Sequence, residues 1–354
     1  MARPLNLRVA VCVPTFNRAA LLERTLKSLL AQTFRDFSLI VADNGSSDAT
    51  PDVVGRLKDG RLRYARFESS LDMTSSWNRA IGLALDEPAS YVALFHDDDF
   101  YLPALLEREV DFLERHPRAG LVHAASYYYN EAEGRFSLRR PYASDRTLTA
   151  LEMLDDLADR GVYHITTPSV LARKDAYLKA GTFDPAFKIC PDLDLWWRML
   201  EHYDMGYIAE PLCIVRVHAG QVSSSKAARD NAPAQTEARL VLAGALERFK
   251  GRLADPAAYE KKIGRRMARQ ALLAAKDALL AGDARTVAEA CREAPRLSAA
   301  SDVRFLALAL RFLNNAPGRL SARSAALVLR SIRAARMREE SGPLWEDLRK
   351  SLSA

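Results

Sequence analysis

The chain has 354 residues, 49% of them hydrophobic and 27% charged, which is ordinary for a soluble globular protein and long enough for two domains. No apolar run approaches the ~18–20 residues of a membrane-spanning helix, which disfavours an integral membrane protein. The four cysteines are widely scattered, without disulfide or metal-binding spacing. We therefore expect a reducing, cytoplasmic location. A strand-like run begins so close to Met1 that we expect no signal peptide.

Positive charge is concentrated in the C-terminal third. Residues 226–354 contain 25 Lys and Arg against 14 Asp and Glu, a net charge of +11. Because the whole chain carries +6, the first 225 residues carry about −5. This asymmetry predicts two domains with different partners, at residues 1–225 and 226–354.

The first half of the chain alternates strand-like apolar runs with segments of helical periodicity. Buried strands are predicted at Leu7–Val13, Phe37–Ala42 and Tyr91–Phe95. Each of these runs leads into a polar cluster, and the clusters are Thr15–Arg18, Asp43–Asp48 and Asp97–Asp99. The alternation predicts a mostly parallel α/β sheet, in which ligands bind outside the carboxyl ends of the strands. The three clusters are therefore predicted to form one site.

Three adjacent carboxylates, Asp97, Asp98 and Asp99, follow the strand that ends at Phe95. Because like charges repel, such a cluster at the end of a buried strand indicates a compensating cation. Hard oxygen ligands favour Mg²⁺ or Mn²⁺, usually shared with substrate phosphates. Taken alone, the cluster is explained equally well as an acidic turn that caps the next helix.

Two common nucleotide-binding motifs are absent: no GxGxxG follows the first strand, and the chain contains no GxxxxGK[ST]. The segment VAVCVPTFNRAALLERTLKSLLAQTFRDFSLIVADNGSSDAT instead resembles the start of family 2 glycosyltransferases, through its PTFNR, QTFRDF and DNGSSD elements. The segment SSLDMTSSWNRAIGLAL resembles the family's next block, and HDDDFYLP resembles its DxD motif with the following helix. The resemblance runs from about Val9 to Ser224 with the motifs in family order, and it implies a GT-A fold.

The resemblance also implies a nucleotide pocket. The residues that would line or border it are Pro14, Thr15, Asn17, Arg18 and Asn78. Asp43 would accept a hydrogen bond from the base, since an ionised carboxylate suits a ring N–H such as that of uracil or thymine. Two structural alternatives remain open: Asp43 could stabilise the Asn44-Gly45 turn, and Asn78 could lie on a helix surface.

A metal site is implied beside this pocket. The resemblance places the metal-binding carboxylate at Asp98, with Asp97 facing the ribose or sharing the Mn²⁺ or Mg²⁺ ion. His96 stands where many family members have the first Asp of DxD, which leaves the number of metal ligands open. His218, at the end of the strand LCIVRVH, is implied as a further metal or phosphate contact, although a lone histidine is more often an ordinary polar residue.

The segment CPDLDLWWRML resembles the family's ED-x-DLWLR block, with Pro191 in place of the Glu. Asp192 falls at the position of the catalytic base, which takes the proton of the acceptor hydroxyl in an inverting transfer. The structural alternative is that Asp192 and Asp194 favour the N-terminus of a helix. We interpret Asp194 as structural.

From about Ala234 onward the chain is rich in Ala, Leu and Arg, with amphipathic helical spacing that continues to the segment Ser321–Arg336. Two interpretations stay open for this basic region. It contacts an anionic membrane surface, a lipid-linked acceptor or another chain, or it is a solvated subdomain whose arginines cover its own core. Nucleic-acid binding is disfavoured, since the donor-site motifs already account for the chain.

Together these patterns predict a GT-A type α/β domain, with a mostly parallel nucleotide-binding sheet, followed by an all-α C-terminal region. The predicted activity is inverting transfer of a hexose from a UDP- or dTDP-linked sugar to a hydroxyl acceptor, in cell-surface polysaccharide or glycolipid synthesis. The predicted location is cytoplasmic, with peripheral contact at the inner face of the membrane as an option. Two alternatives remain: a metal-dependent nucleotidyltransferase, and a degenerate transferase that acts as a binding or scaffold subunit. His96 and Pro191, which depart from the family motifs, favour the second alternative.

Overall fold

The computed structural model describes residues 8–160, 165–221, 232–280 and 282–315. The chain divides into two compact units, Met1–Asp156 with Val162–Ala254 and Leu157–Gly161 with Asp255–Ala354. The division predicted between residues 225 and 226 stays a prediction. The amphipathic segment predicted at Ser321–Arg336 lies outside the described residues.

One sheet forms the centre of the first unit. Its strands are β1 (Val9–Thr15), β2 (Phe37–Asp43), β3 (Leu62–Arg66), β4 (Tyr91–Leu94), β5 (Phe100–Tyr101), β6 (Ala119–Asn130), β7 (Arg135–Arg139), β8 (Arg146–Leu148), β9 (Leu171–Arg173) and β10 (Asp204–Val217). Their order is β3-β2-β1-β4-β9-β6-β10-β5, with β7 paired to β6 and β8 paired to β10.

The four strands β3, β2, β1 and β4 pair in parallel, with Val9 opposite both Phe37 and Tyr91. All residues of β1, β2 and β4 are buried, as expected for parallel strands that are covered on both faces. The other half of the sheet is mixed, because β10 runs parallel to β6 while β5, β7, β8 and β9 pair antiparallel. The parallel half therefore brings the ends of β1, β2 and β4 to one edge.

Helices connect these strands. They are α1 (Ala19–Leu30), α2 (Thr50–Arg56), α3 (Met73–Leu85), α4 (Leu105–Arg115), α5 (Ala150–Arg160), α6 (Lys174–Ala180), α7 (Pro191–Met199) and α8 (Ala232–Phe249). The leucines of α1 at helical spacing, Leu22, Leu26 and Leu29, are fully buried and pack in the same core as the β1 and β2 side chains. The sequence pattern missed β7, whose residues are all exposed, and α6, which is only seven residues long. Neither element carries an apolar periodicity long enough to be recognised.

The second unit contains α9 (Pro256–Leu280), α10 (Ala284–Leu297) and α11 (Ser301–Asn314). Its core consists mainly of small and aliphatic side chains, such as Ala268, Leu272, Val287, Ala294 and Val303. The predicted helical character of this region is confirmed for the described residues. None of the described helices combines the length and the apolar character needed to cross a membrane.

Candidate active site

A cleft of about 420 Å³ opens beyond the carboxyl ends of β1, β2 and β4. Its polar lining includes Thr15, Arg18, Asp97, Asp98 and Asp192. Its apolar lining includes Phe16, Leu71, Met73, Trp77 and Ile189. The strand-end clusters Thr15–Arg18 and Asp97–Asp99 therefore meet as the sequence predicted, and residues from α3 and from the start of α7 close the same space.

Arg18 holds the acidic cluster together. Its Nη1 atom lies 3.0 Å from Asp97 Oδ1 and 3.0 Å from Asp98 Oδ2, and Thr15 Oγ1 donates to Asp97 Oδ2 at 2.7 Å. Both carboxylates are only 5% exposed. Burial raises the pKa of Asp97 to about 6, although the adjacent guanidinium acts to lower it. The guanidinium thus offsets two carboxylate charges that water reaches poorly.

The loop that carries the cluster is fixed from behind. The Thr25 hydroxyl of α1, which is buried, contacts the backbone carbonyls of Asp97 and Asp99 at 3.0 and 2.7 Å. The backbone N–H of Arg216 in β10 donates to Asp99 Oδ1 at 2.9 Å. Because buried polar groups are satisfied in this way, the loop presents Asp97 and Asp98 toward the cleft in a fixed arrangement.

His218 lies just after the end of β10, with its Nε2 atom 3.1 Å from Asp98 Oδ2. It does not line the cleft, but it contacts the residue to which the family resemblance assigns the metal. Its role as a metal or phosphate contact stays a prediction.

A second histidine, His96, is inside the cleft lining, with its Nδ1 atom 3.6 Å from Asp99 Oδ2. Burial lowers the pKa of the His96 imidazole, which favours the neutral ring. His96 Nε2 and Asp99 Oδ2 are buried and have no hydrogen-bond partner among the described residues.

These groups fit a divalent cation. His96, Asp98 and Asp99 can each offer one ligand atom, with all three atoms within 4.8 Å of one another. Carboxylate oxygens and a neutral imidazole are ligands that Mn²⁺ accepts, and carboxylates also suit Mg²⁺. An ion bound here would give the buried Asp99 carboxylate a partner. The geometry shows an acidic site that can hold a metal, with ligands that differ in part from the predicted pair Asp98 and His218.

Asp192 lies in the first turn of α7 and lines the same cleft. The Thr167 hydroxyl donates to Asp192 Oδ2 at 2.5 Å, and Trp196 Nε1 lies 3.4 Å from Thr167 Oγ1. Burial raises the pKa of Asp192, while the Thr167 hydrogen bond acts to lower it. A carboxylate with a raised pKa at the wall of a cleft is chemically suited to accept a proton.

Asp194 has a different environment two residues later. Its Oδ2 atom accepts a hydrogen bond from Arg198 Nε at 2.8 Å within α7. Arg198 also donates to the backbone carbonyls of Ala180 and Thr182. Asp194 therefore joins α7 to the segment that follows α6, as its structural interpretation predicted.

Asp43 is fully buried and does not line the cleft. Its Oδ1 atom accepts from the Ser46 N–H at 2.8 Å, and its Oδ2 atom accepts from the Tyr64 hydroxyl at 2.5 Å. The neighbouring Asn44 lines the cleft instead, and its amide exchanges two hydrogen bonds with the Leu71 backbone at 2.9 and 3.0 Å. The contact of Asp43 with a base stays a prediction, and Asn44 is a cleft residue that sequence reasoning missed.

Asn17 and Asn78 also lie outside the cleft lining. Asn17 has a φ of 52°, and its Oδ1 atom accepts from the Ser47 N–H at 2.7 Å, which ties the β1–α1 loop to the β2–α2 loop. Asn78 exchanges two hydrogen bonds with the Phe183 backbone, at 2.7 and 2.9 Å. Their predicted roles beside the nucleotide are untested, and these contacts describe how they position neighbouring loops.

Trp77 and Thr167 are cleft-related residues that the sequence did not single out. The Trp77 ring on α3 lies 5.2 Å from the His96 ring, centroid to centroid, and both residues line the cleft. Thr167 lies in none of the motifs that carry the family resemblance, so the sequence did not identify it. Only the fold brings it to Asp192.

The half-parallel central sheet with its flanking helices and helical C-terminal region defines the GT-A class of fold. The predicted GT-A fold is confirmed by a solved structure, that of S. aureus TarS 1–349 in complex with UDP-GlcNAc. The TM-score is 0.62 at 15% sequence identity, covering 94% of this chain and 92% of that one. At this identity the likeness concerns the fold alone.

Sequence comparison supports the resemblance to family 2 glycosyltransferases. Residues 10–180, just under half of the chain, match the profile of the family described as "Glycosyl transferase family 2". A protein of Campylobacter jejuni, named GalNAc(5)-diNAcBac-PP-undecaprenol beta-1,3-glucosyltransferase, is 34% identical over 132 residues, which cover 37% of this chain and 41% of that protein. A Rickettsia typhi protein named as an uncharacterized glycosyltransferase is 24% identical over 227 residues, 61% of this chain and 66% of that protein. The chain thus spans less than half of the first relative and about two thirds of the second.

Proposed function

We propose that this protein is an inverting glycosyltransferase that moves a hexose from a UDP- or dTDP-linked donor to a hydroxyl acceptor. The observation that carries the proposal is that one cleft is lined both by Asp97 and Asp98 with Arg18 and by Asp192. The first group suits a diphosphate with its cation, and the second suits proton removal from an acceptor. The match to family 2 glycosyltransferases supports glycosyl transfer as the reaction that needs both.

On the donor side, Arg18 and the acidic site would hold the diphosphate. Asp98, with His96 and Asp99 or with His218, would hold Mn²⁺ or Mg²⁺, which when bound offsets the negative charge of the departing nucleoside diphosphate. The apolar lining at Phe16 and Leu71 would face the flat nucleobase, and Pro14 and Thr15 would line the same end of the cleft.

On the acceptor side, Asp192 would take the proton of the acceptor hydroxyl. As that oxygen forms a bond to the anomeric carbon, the bond from the anomeric carbon to the diphosphate oxygen breaks, and its electron pair leaves with the diphosphate. Attack from the face opposite the leaving group inverts the anomeric configuration. Thr167 would keep Asp192 oriented through its hydrogen bond.

The proposed acceptor is a growing surface glycan on a lipid carrier. The Campylobacter relative is named for transfer to an undecaprenol-linked glycan, which supports this substrate class. In the second unit, α11 exposes Phe305, Leu308 and Phe312 at 62, 67 and 70%, beside the exposed Arg304 and Arg311. An apolar stripe flanked by arginines suits the surface of an anionic membrane, where lipid-linked acceptors lie.

The activity is tested with a panel of UDP- and dTDP-sugars and a lipid-diphosphate-linked acceptor, in the presence of Mn²⁺ or Mg²⁺. We expect release of nucleoside diphosphate and a product whose anomeric configuration, read by NMR, is opposite to that of the donor. Release of pyrophosphate from a nucleoside triphosphate would instead identify a nucleotidyltransferase. Binding of nucleotide without turnover of any donor would favour a scaffold subunit.

The membrane contact is tested separately by vesicle flotation. Replacing Phe305, Leu308 and Phe312 together with Ser should abolish binding to vesicles that contain anionic lipid, while transfer to a short water-soluble acceptor persists. Unchanged flotation of the triple variant would overturn the assignment of α11 as the contact.

A further inference from the structure

A carboxylate outside the cleft binds the backbone that leads into the helix of Asp192. Glu237 lies on α8, and its Oε1 atom accepts the N–H of Lys188 at 2.9 Å. Its Oε2 atom accepts the N–H groups of Ile189 and Cys190 at 2.7 and 3.0 Å. One side chain therefore satisfies three consecutive backbone donors.

The three N–H groups belong to the residues immediately before α7, so the bonds to Glu237 fix the start of this helix. Cys190 is the N-cap residue of α7, and its own side chain makes no capping hydrogen bond. Helix ends leave backbone N–H groups without intrahelical partners, and a carboxylate is favoured there by charge as well as by hydrogen bonding. Glu237 supplies that carboxylate from another helix. Asp192 lies only two residues after the capped position, in the first turn of α7.

The same segment forms part of the cleft. Ile189, one of the three donors, lines the cleft beside Asp192. On the other side, the Thr74 hydroxyl of α3 donates to the Phe187 carbonyl at 2.9 Å. The segment before α7 is thus held between α3, which carries the cleft residue Trp77, and α8, which carries Glu237.

Packing keeps α8 in place against α7. The α8 residues Val241, Leu242, Ala245 and Phe249 are buried. The ring of Phe249 lies 6.0 Å from the ring of Trp197 on α7, and Arg248 pairs with Glu201 at 2.5 Å. Helix α8 therefore contacts α7 at both ends of α7: Glu237 binds the backbone before its start, and Phe249 and Arg248 contact residues near its end.

We infer that Glu237 is a positioning residue for glycosyl transfer: it fixes residues 188–190 and thereby sets the placement of Asp192 against the acceptor. This inference rests on the proposed function. Loss of the carboxylate leaves three backbone donors to water and loosens the first turn of α7. A displacement of about 1 Å in a catalytic group is sufficient to slow a reaction on the order of 100-fold.

The test compares Glu237→Ala and Glu237→Gln with Glu247→Ala. Glu247 is the matched control, since it lies on the same helix, is 73% exposed and pairs only with Lys250 among the described ion pairs. We expect Glu237→Ala to lower kcat about 10- to 100-fold with a donor KM within about two-fold of wild type. The kcat of Glu237→Gln should lie between those of Glu237→Ala and wild type, because glutamine keeps one acceptor oxygen but turns an amide NH₂ toward the N–H donors. Glu247→Ala should match wild type.

Amide hydrogen exchange supplies a readout that does not depend on turnover. We expect the amides of residues 188–190 to exchange faster in Glu237→Ala than in wild type and to be unchanged in Glu247→Ala. Wild-type exchange rates in the Glu237 variants, or a kcat equal to that of Glu247→Ala, would overturn the inference. If wild type transfers no sugar from any donor, the proposed function fails, and the exchange data alone decide whether Glu237 holds the segment. If Glu237→Ala does not fold, Glu237→Gln carries both measurements.

Discussion

The two walls of the cleft are built in different ways. The donor wall consists of residues at the ends of neighbouring parallel strands, where Arg18, Thr15, Asp97 and Asp98 bind one another through side chains at 2.7–3.0 Å. The base wall places Asp192 at the start of a short helix, held by Thr167 and by the backbone clamp of Glu237. The donor wall joins side chains at the ends of neighbouring strands to one another, whereas the base wall depends on Thr167 and Glu237, which lie outside the sheet.

This difference has a consequence for function. Under the proposed function, the donor wall provides a charged platform for the two phosphates, and contacts with Thr25 and with the Arg216 N–H hold its loop in place. Thr167 and Glu237 would keep Asp192 aligned with the anomeric carbon. Changes on the donor wall should therefore weaken binding, and changes on the base wall should slow the chemical step.

The largest expected effect is on the base wall. We expect Asp192→Asn to lower kcat by about 10²–10⁴-fold, because the amide cannot take the acceptor proton. Affinity for UDP, measured by calorimetry, should stay near that of wild type. Turnover near the wild-type rate would remove Asp192 from the mechanism.

The second effect is on the donor wall. We expect Asp98→Asn to weaken Mn²⁺-dependent UDP binding by at least about 10-fold, since an amide oxygen carries no charge to offset the cation. Calorimetry with and without Mn²⁺ measures this difference. His96→Ala and His218→Ala, compared in the same assay, would show which histidine belongs to the ligand set. Metal-independent binding in wild type would contradict the assignment of the acidic site as a metal site.

A smaller effect concerns the pH dependence of kcat/KM, which reports on the base wall. The base acts only when ionised, so kcat/KM should fall as pH drops through the pKa of Asp192, which burial raises. The hydroxyl of Thr167 stabilises the ionised form, and Thr167→Val should therefore raise that pKa further. A hydrogen bond to a charged group contributes about 1.5–3 kcal/mol, which corresponds to a shift of the acidic limb by roughly 1–2 pH units toward higher pH. An unshifted limb would mean that another group controls it.

The smallest effect concerns a carboxyl outside both walls. Glu109 on α4 is fully buried, and neither of its oxygens has a hydrogen-bond partner among the described residues. Burial raises its pKa well above the usual value. Unlike the cleft carboxylates, Glu109 has no compensating cation in the described part of the chain.

The sign of its pH effect follows from this raised pKa. Folding favours protonated Glu109, because the pKa of this carboxyl is higher in the folded than in the unfolded state. Its contribution to the free energy of unfolding is complete below the unfolded-state pKa of about 4.3 and is lost as pH rises toward the folded-state pKa. Glu109→Met should therefore raise the free energy of unfolding by about 1–3 kcal/mol at pH 8 and by less at pH 4. Glu107→Met, an exposed change on the same helix, is the control. Equal effects of Glu109→Met at the two pH values would contradict a neutral buried carboxyl.

The amino-acid sequence by itself determined the parallel half of the sheet and the donor wall. Apolar runs such as Phe37–Ala42 specify buried strands, and the polar residues that follow parallel strands must meet at one edge, so Arg18 and Asp97 could be predicted to lie together. Asp192, which the CPDLDLWWRML pattern singled out, lines the same cleft at the start of α7, and its role as the base stays a prediction.

Only the tertiary structure decided which neighbours support these groups. Thr167 and Asp192 are 25 residues apart, and Glu237 reaches backbone donors 47–49 residues away. Backbone N–H groups are the same in every non-proline residue, so no residue type at positions 188–190 announces the bond to Glu237. Likewise, Asn44 rather than Asp43 faces the cleft, because hydrogen bonds from the Ser46 N–H and the Tyr64 hydroxyl hold the Asp43 carboxylate in the interior.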